Sequence, residues 1–129
     1  ATRAHIVRAT LEAIAYQVRD VLETMKASVK LEIPLLKADG GGSANRFLMQ
    51  FQADLLGVPV EVPEVAETTA LGAAYLAGLA VGVWGSEKEL VSQWRVGNHY
   101  EPTISQEEAN NLYAGWQRAV DRARNWEIP

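Results

Sequence analysis

Apolar residues recur at helical spacing through the first part of the chain, over residues 3–26. The stripe consists of Val7, Leu11, Ile14, Val18, Leu22 and Met25. This spacing predicts a long amphipathic helix that buries one face. Charges one turn apart, Arg8 with Glu12 and Arg19 with Glu23, predict ion pairs on its solvent side.

Two short apolar segments predict strands, with a second helix between them. Residues 31–38 contain the first strand, which should begin after Pro34 because proline has no N–H group for a ladder. Residues 58–62 form the second, and Gly57 ends the helix over 44–56. The core face of that helix consists of Phe47, Leu48, Phe51 and Leu55. Strands that alternate with helices predict an α/β fold with a parallel sheet.

The third predicted helix, over residues 70–81, is apolar or small on every side, with Thr68 or Thr69 as its cap. Such a composition predicts a buried helix, and the segment is too short to span a membrane. Two strands make a poor sheet and leave this helix with too little cover. We therefore expect the chain to be part of a larger protein that supplies further strands.

Capping-box patterns at Ser86 and Ser105 predict two further helices. The first is short and reaches about Trp94, and residues 95–104 should form a loop. The last helix carries a stripe of Leu112, Trp116, Ala119, Ala123 and Trp126. This stripe predicts that both tryptophans pack in the core.

The segment with the most chemical information runs from Asp39 to Asn45 and contains three consecutive glycines. A glycine turn that leads into a helix lets a ligand approach the backbone closely and offers free N–H groups. The same residues also suit a purely structural turn, and the residues alone leave both interpretations open. The spacing fits neither a Walker loop nor the dinucleotide fingerprint.

Composition excludes several classes of function. The net charge of −4 disfavours nonspecific binding to nucleic acid, which needs a basic face. The lack of cysteine excludes disulfides, thiolate metal sites and a cysteine nucleophile, and it fits a cytoplasmic protein. No apolar run is long enough to cross a membrane.

Few side chains are candidates for chemistry. Neither His5 nor His99 has a second ligand at a familiar metal spacing, so surface or capping roles are favoured. Asp39 could orient a metal or water, but hydrogen bonds from the glycine N–H groups are the favoured role. Glu64 and Glu67 suit the start of the third helix as structural residues.

Asn45, in the first turn of the second helix, could donate and accept hydrogen bonds toward a ribose or base. A polar residue that only starts the helix is an equally good interpretation of the same position.

Four segments carry a family resemblance that covers essentially the whole chain. They are His-Ile-Val-Arg-Ala-Thr-Leu-Glu at 5–12, Phe-Leu-Met-Gln-Phe-Gln-Ala-Asp at 47–54, the apolar segment at 67–80 and Tyr-Ala-Gly-Trp-Gln-Arg-Ala-Val at 113–120. They resemble the glycerol kinase branch of the FGGY family of carbohydrate kinases. The first segment is similar to the closing half of a family signature whose glycine-bearing half is absent.

The resemblance implies the C-terminal part of an actin/ribonuclease-H-like ATPase domain, with ATP held between two domains. It implies adenosine contacts from the Gly41 backbone and the Asn45 side chain, with Gly40 beside them. The family usually has alanine at the position of Gly42. The N-terminal domain and the start of this domain, with the catalytic aspartate, phosphate loops, Mg²⁺ ligands and glycerol-binding residues, are expected upstream of Ala1. No catalytic residue is therefore expected among residues 1–129.

The implied reaction of the whole protein converts ATP and glycerol to ADP and sn-glycerol 3-phosphate. A sibling xylulose or ribulose kinase and a stand-alone nucleotide-binding or interaction module remain alternatives. Uncovered apolar surface predicts that the isolated chain self-associates, aggregates or is only marginally folded. The protein is expected to be a homo-oligomer.

Overall fold

A computed structural model describes residues 1–30, 32–65 and 67–127. Five α-helices, three strands and one 3₁₀ turn follow one another along this part of the chain. In order they are α1 (Arg3–Val29), β1 (Leu36–Lys37), the 3₁₀ turn (Gly41–Ala44), α2 (Arg46–Leu56), β2 (Val60–Pro63), α3 (Thr68–Ala80), α4 (Glu87–Val91), β3 (Val96–Tyr100) and α5 (Gln106–Ala123). The alternation predicted from the sequence is confirmed, with β1 starting after Pro34.

The sheet has the order β1-β2-β3 and is mixed. β1 and β2 are parallel, as predicted, whereas β2 and β3 are antiparallel. β3 lies inside the segment predicted as a loop, so that prediction is wrong. Glycine at position 97 permits the close approach of this strand to the end of β2, since a Cβ there would lie 2.9 Å from Cα of Glu64. The pairing depends on a missing side chain rather than on an apolar pattern.

The core lies where α1 and α2 pack on the sheet. Its buried members are Ala15, Tyr16, Leu48, Met49, Phe51, Ala53, Leu55, Val60 and Val62. α2 contributes most of them, and Leu55 is fully buried. Gly57 ends α2 with a φ of 66°, a left-handed conformation that glycine adopts at little cost. Phe47 departs from the predicted core face and remains 40% exposed.

The buried face of α1 coincides only in part with the predicted apolar stripe: Leu22 is buried and Leu11 packs against the core. Ile14 and Met25 are exposed, while the helix buries Tyr16 and the guanidinium-bearing Arg19. The predicted ion pair between Arg19 and Glu23 is present at 3.6 Å, but Arg19 lies inside the molecule rather than on the solvent side. A rotated face is buried because the long polar side chain at 19 finds hydrogen-bond acceptors on α2 and α5.

The apolar helix α3 and the side chain of Trp126, both predicted to be buried, are exposed. In α3, Leu76 is 68% exposed, and only Gly78 is buried, against the ring of Trp84. Trp126, beyond the end of α5, is 86% exposed. Trp116, by contrast, packs against the core as predicted. Within the described ranges, no helix is both long and apolar enough to cross a membrane.

Candidate functional site: the glycine turn before α2

The glycine turn connects the end of β1 to the start of α2. Gly40 has φ 85° and ψ −179°, a backbone conformation that is essentially restricted to glycine. The chain then forms the 3₁₀ turn and enters α2 at Asn45. The turn therefore lies at the C-terminal end of a parallel strand, which is where α/β folds place their ligands.

Ser43 fixes the shape of the turn. Its hydroxyl donates to the carbonyl oxygen of Gly40 at 2.7 Å, and its backbone N–H donates to the same oxygen at 3.1 Å. The side chain is buried, although its neighbours in the turn are exposed. Sequence reasoning did not single out Ser43; a small hydroxyl residue inside a glycine run was the available signal.

Asn45 caps α2, which supports the structural interpretation of this residue. Its Oδ1 atom accepts a hydrogen bond from the backbone N–H of Leu48 at 3.0 Å. The acceptor side of the amide is thus used internally. The residue is exposed, and its NH₂ group has no acceptor among the described residues. Toward a ligand, Asn45 can therefore act as a donor.

Gly41 and Gly42 have different surroundings. Neither has a positive φ. A Cβ built on Gly41 would meet no heavy atom within 4 Å, whereas one on Gly42 would make an ordinary 3.9 Å contact with Leu48. The described part of the chain thus gives no steric reason for glycine at 41. Open space above its backbone is what close approach by a second molecule requires.

The other residues considered as candidates for chemistry make only structural contacts in the described part of the chain. Asp39 is exposed and accepts no hydrogen bond from a glycine N–H in the described part of the chain, contrary to the favoured prediction. His5 accepts from the N–H of Thr2 at 3.0 Å, so its capping role is confirmed. The backbone N–H of Glu64 donates to the backbone carbonyl oxygen of Arg95. Glu67 is the residue immediately before α3.

His99 lies on the surface between two carboxylates. Its Nε2 atom contacts Glu101, and its Nδ1 atom lies 3.4 Å from Glu61. The hydrogen bond with Glu101 is the main cause of a raised His99 pKa. Among residues 1–30, 32–65 and 67–127, no group of three His, Cys, Asp or Glu residues could hold a metal ion.

The described geometry defines a glycine turn at a strand end, placed on a well-packed helix, in the manner of a ligand-binding α/β domain. Residues 1–81 match the C-terminal domain of the FGGY family of carbohydrate kinases. The chain belongs to this family.

The chain is similar in sequence to curated glycerol kinases. The chain is 59% identical over 126 residues to the glycerol kinase of Thermoanaerobacter sp. (strain X514), covering 98% of this chain and 25% of the relative. It is 60% identical over 124 residues to that of Symbiobacterium thermophilum, covering 96% and 25%. The chain therefore spans about a quarter of the length of these curated relatives.

Solved structures agree with the assignment. The Plasmodium falciparum glycerol kinase with ADP superposes with a TM-score of 0.88 at 32% identity, covering 98% of this chain and 26% of that one. The xylulose kinase of Rhodospirillum rubrum gives 0.76 at 26%, covering 95% and 25%. The fold is that of the C-terminal, actin/ribonuclease-H-like domain of these kinases, as the sequence predicted.

Proposed function

We propose that this chain forms the adenosine side of the ATP site of a cytoplasmic glycerol kinase. The complete protein would transfer a phosphoryl group from ATP to glycerol and release ADP and sn-glycerol 3-phosphate. Similarity to glycerol kinases over nearly the whole chain supports this substrate, and ADP is named in one related structure. A specific geometric observation carries the nucleotide contact: the space above Gly41 is open, and nothing in the described chain needs glycine there.

In this proposal the Gly41 backbone packs along the adenosine, with Gly40 holding the turn in its glycine-only conformation. The exposed NH₂ group of Asn45 donates to a ring nitrogen or a ribose oxygen of the nucleotide. Its Oδ1 atom already accepts from the N–H of Leu48, so the NH₂ group is the part of the amide that is not engaged in capping α2. The sequence alone allowed the Asn45 amide to donate or to accept toward a nucleotide, and the capping bond now favours donation by its NH₂ group.

Phosphoryl transfer requires positioned phosphates and Mg²⁺. The resemblance to the family implies no Mg²⁺ ligand and no catalytic residue among residues 1–129, and we assign none. Residues 1–129 alone are therefore expected to bind nucleotide weakly and to phosphorylate nothing. Because α3 leaves apolar residues such as Leu76 exposed, residues 1–129 alone are further proposed to self-associate. Sedimentation of these residues as a stable monomer would refute that part.

The nucleotide contact is tested by two alanine substitutions one residue apart. In the complete kinase, Gly41→Ala places a methyl group in the open space and should raise the KM for ATP by about tenfold, a loss of roughly 1.4 kcal/mol. Gly42→Ala is the matched control, because its methyl group faces Leu48 at ordinary contact distance. Equal effects of the two substitutions on the KM for ATP would contradict the assignment.

A substitution at Asn45 separates capping from binding. Asn45→Asp retains an N-cap acceptor but replaces the donating NH₂ group with an oxygen. We expect a higher KM for ATP, an unchanged KM for glycerol and unchanged stability. A change confined to the KM for glycerol, or to the melting temperature, would show that Asn45 does not contact nucleotide.

Substrate class is tested on the complete wild-type protein with glycerol, xylulose and ribulose. Turnover of glycerol is expected. Turnover of xylulose or ribulose without glycerol would identify a sibling sugar kinase, to which the structural similarity also extends. Nucleotide binding without turnover of any of the three would indicate a binding or interaction module.

A further inference from the structure

The glycine turn before α2 contains one buried residue, Ser43. It is 5% exposed, whereas Gly40, Gly41, Gly42 and Ala44 beside it are exposed. A buried hydroxyl group is unfavourable unless it forms a hydrogen bond, and the Ser43 hydroxyl donates to the carbonyl oxygen of Gly40 at 2.7 Å. The hydroxyl is thus used inside the turn, and Ser43 has almost no surface left for a ligand.

Two hydrogen-bonded carbonyl groups flank Gly41 in the turn. The carbonyl oxygen of Gly40 accepts from the hydroxyl of Ser43 and also from its backbone N–H, the latter at 3.1 Å. The carbonyl oxygen of Gly42 accepts from the backbone N–H of Asn45 at 3.1 Å. The peptide groups on either side therefore set the direction of the Gly41 backbone. On the Gly40 side a side chain takes part, whereas the bond to Gly42 joins two backbone groups.

A turn with three consecutive glycines needs such a restraint. Glycine loses more conformational freedom on ordering than any other residue, because the widest range of φ and ψ is open to it. Gly40 is held at φ 85° and ψ −179°, which is only one of its accessible regions. When a ligand binds one arrangement of a turn, its apparent affinity is reduced in proportion to the fraction of molecules in that arrangement. A hydrogen bond that raises this fraction raises the affinity by the same factor.

We propose that Ser43 is a positioning residue for the nucleotide. By donating to the carbonyl oxygen of Gly40, its hydroxyl keeps the turn in the arrangement in which the Gly41 backbone faces open space. Ser43 does not touch the nucleotide and acts through Gly40. This inference rests on the proposed adenosine contact of Gly41, and it adds the residue that determines what fraction of the protein is ready to make that contact.

The first test removes the hydroxyl in the complete kinase. Ser43→Ala should raise the KM for ATP about threefold, within the limit of about fivefold that one neutral hydrogen bond of about 1 kcal/mol sets. The KM for glycerol and kcat should not change. Ser92→Ala is the matched control, because the hydroxyl of Ser92 also donates to a backbone carbonyl three residues earlier, that of Glu89 at 2.6 Å. Ser92 is exposed and follows α4, so its removal should leave the KM for ATP at the wild-type value.

Two further variants separate hydrogen bonding from packing and test the link to Gly41. Ser43→Cys fills nearly the same space but is only a weak donor, so its KM for ATP should match that of Ser43→Ala, and it replaces the alanine variant if that variant does not fold. Thermal unfolding verifies that each variant is folded. Because Ser43 acts on the contact that Gly41→Ala blocks, the double variant Gly41→Ala with Ser43→Ala should raise the KM for ATP about tenfold, as Gly41→Ala does by itself, rather than about thirtyfold.

Three results would overturn the role of Ser43. They are an unchanged KM for ATP in Ser43→Ala and Ser43→Cys, even with a lower melting temperature, an equal rise in Ser92→Ala, and multiplicative effects in the double variant. If Gly41→Ala by itself still raises the KM for ATP, the adenosine contact stands and only the role of Ser43 fails. If Gly41→Ala has no effect, the adenosine contact fails, and this inference fails with it.

Discussion

Arg19 offers the most stringent test of how this fold is held together. Its guanidinium is buried and donates to the carbonyl oxygens of Leu55 at 3.0 Å and Ala109 at 3.1 Å. It also donates to Oδ1 of Asn110 at 2.6 Å and lies over the ring of Tyr113 at 4.2 Å. One side chain of α1 therefore ties α2 to α5.

Arg19→Met keeps most of the aliphatic stem and removes every hydrogen bond. Hydrogen bonds to a charged group contribute about 1.5–3 kcal/mol each, and little side-chain entropy is recovered because buried methionine loses about as much as buried arginine. The carbonyl oxygen of Leu55 lies in the last turn of α2, and it loses the hydrogen bond from Arg19. We expect the free energy of unfolding to fall by about 3–5 kcal/mol, as when a buried charge network is broken.

The measurement is urea denaturation followed by far-UV circular dichroism, compared at equal m-values. Arg8→Met is the matched control: Arg8 is exposed and forms one ion pair with Glu12 at 2.6 Å within the same helix. Removal of such a pair should cost about 0.3–0.5 kcal/mol. The loss of unfolding free energy for Arg19→Lys should lie between those of Arg19→Met and Arg8→Met, because an ammonium group cannot reach three acceptors in the same geometry. If Arg19→Met costs no more than Arg8→Met, the described network does not stabilise the protein.

Three further perturbations have defined outcomes. Burial, together with the hydrogen bond to Asp20, raises the pKa of Tyr113 to about 12; stability should therefore fall between pH 10 and 12, where the unfolded tyrosine ionises first, and Tyr113→Phe should remove that slope from alkaline urea titrations. The His99 pKa is raised, chiefly by Glu101, so this residue stabilises the fold below its unfolded pKa of about 6.5 and loses that contribution as the pH rises through the folded value; an NMR titration that gives an unshifted His99 pKa would refute this. Gly57→Ala should lower stability by at least about 1 kcal/mol in thermal unfolding, because φ is 66° and the new Cβ would lie 2.5 Å from the side chain of Gln106.

The sequence predicted elements where a local signal is sufficient. β1 begins after Pro34, α2 ends at Gly57, and Ser105 caps α5 through the N–H of Glu108, all as the residues indicated. These features depend on the chemistry of one or two adjacent residues. Proline, glycine and serine impose their effects locally, so no knowledge of the rest of the fold is needed.

Features that depend on distant partners were not predicted. β3 contains glycine and polar residues and exists because β2 pairs with it. Arginine is usually a surface residue. The burial of Arg19 is explained by carbonyl acceptors that lie 36 and 90 positions away in the sequence. The exposed α3 shows the converse: its composition predicts burial, yet the described residues do not cover it. Apolar content indicates that a surface should be covered, but it does not identify what covers it.

The candidate site depends both on local sequence signals and on contacts that only the fold reveals. The glycines and Asn45 were identified from their order in the chain, but the polarity of Asn45 depends on its bond to Leu48. That hydrogen bond lies at the first residues of α2. In the last turn of α2, Arg19 donates to the carbonyl oxygen of Leu55. The donor proposed for the nucleotide is thus placed at the start of the helix that contributes most residues to the core. Loss of Arg19 should therefore lower stability without changing the polarity of Asn45, whereas Asn45→Asp should change the polarity and leave the fold intact.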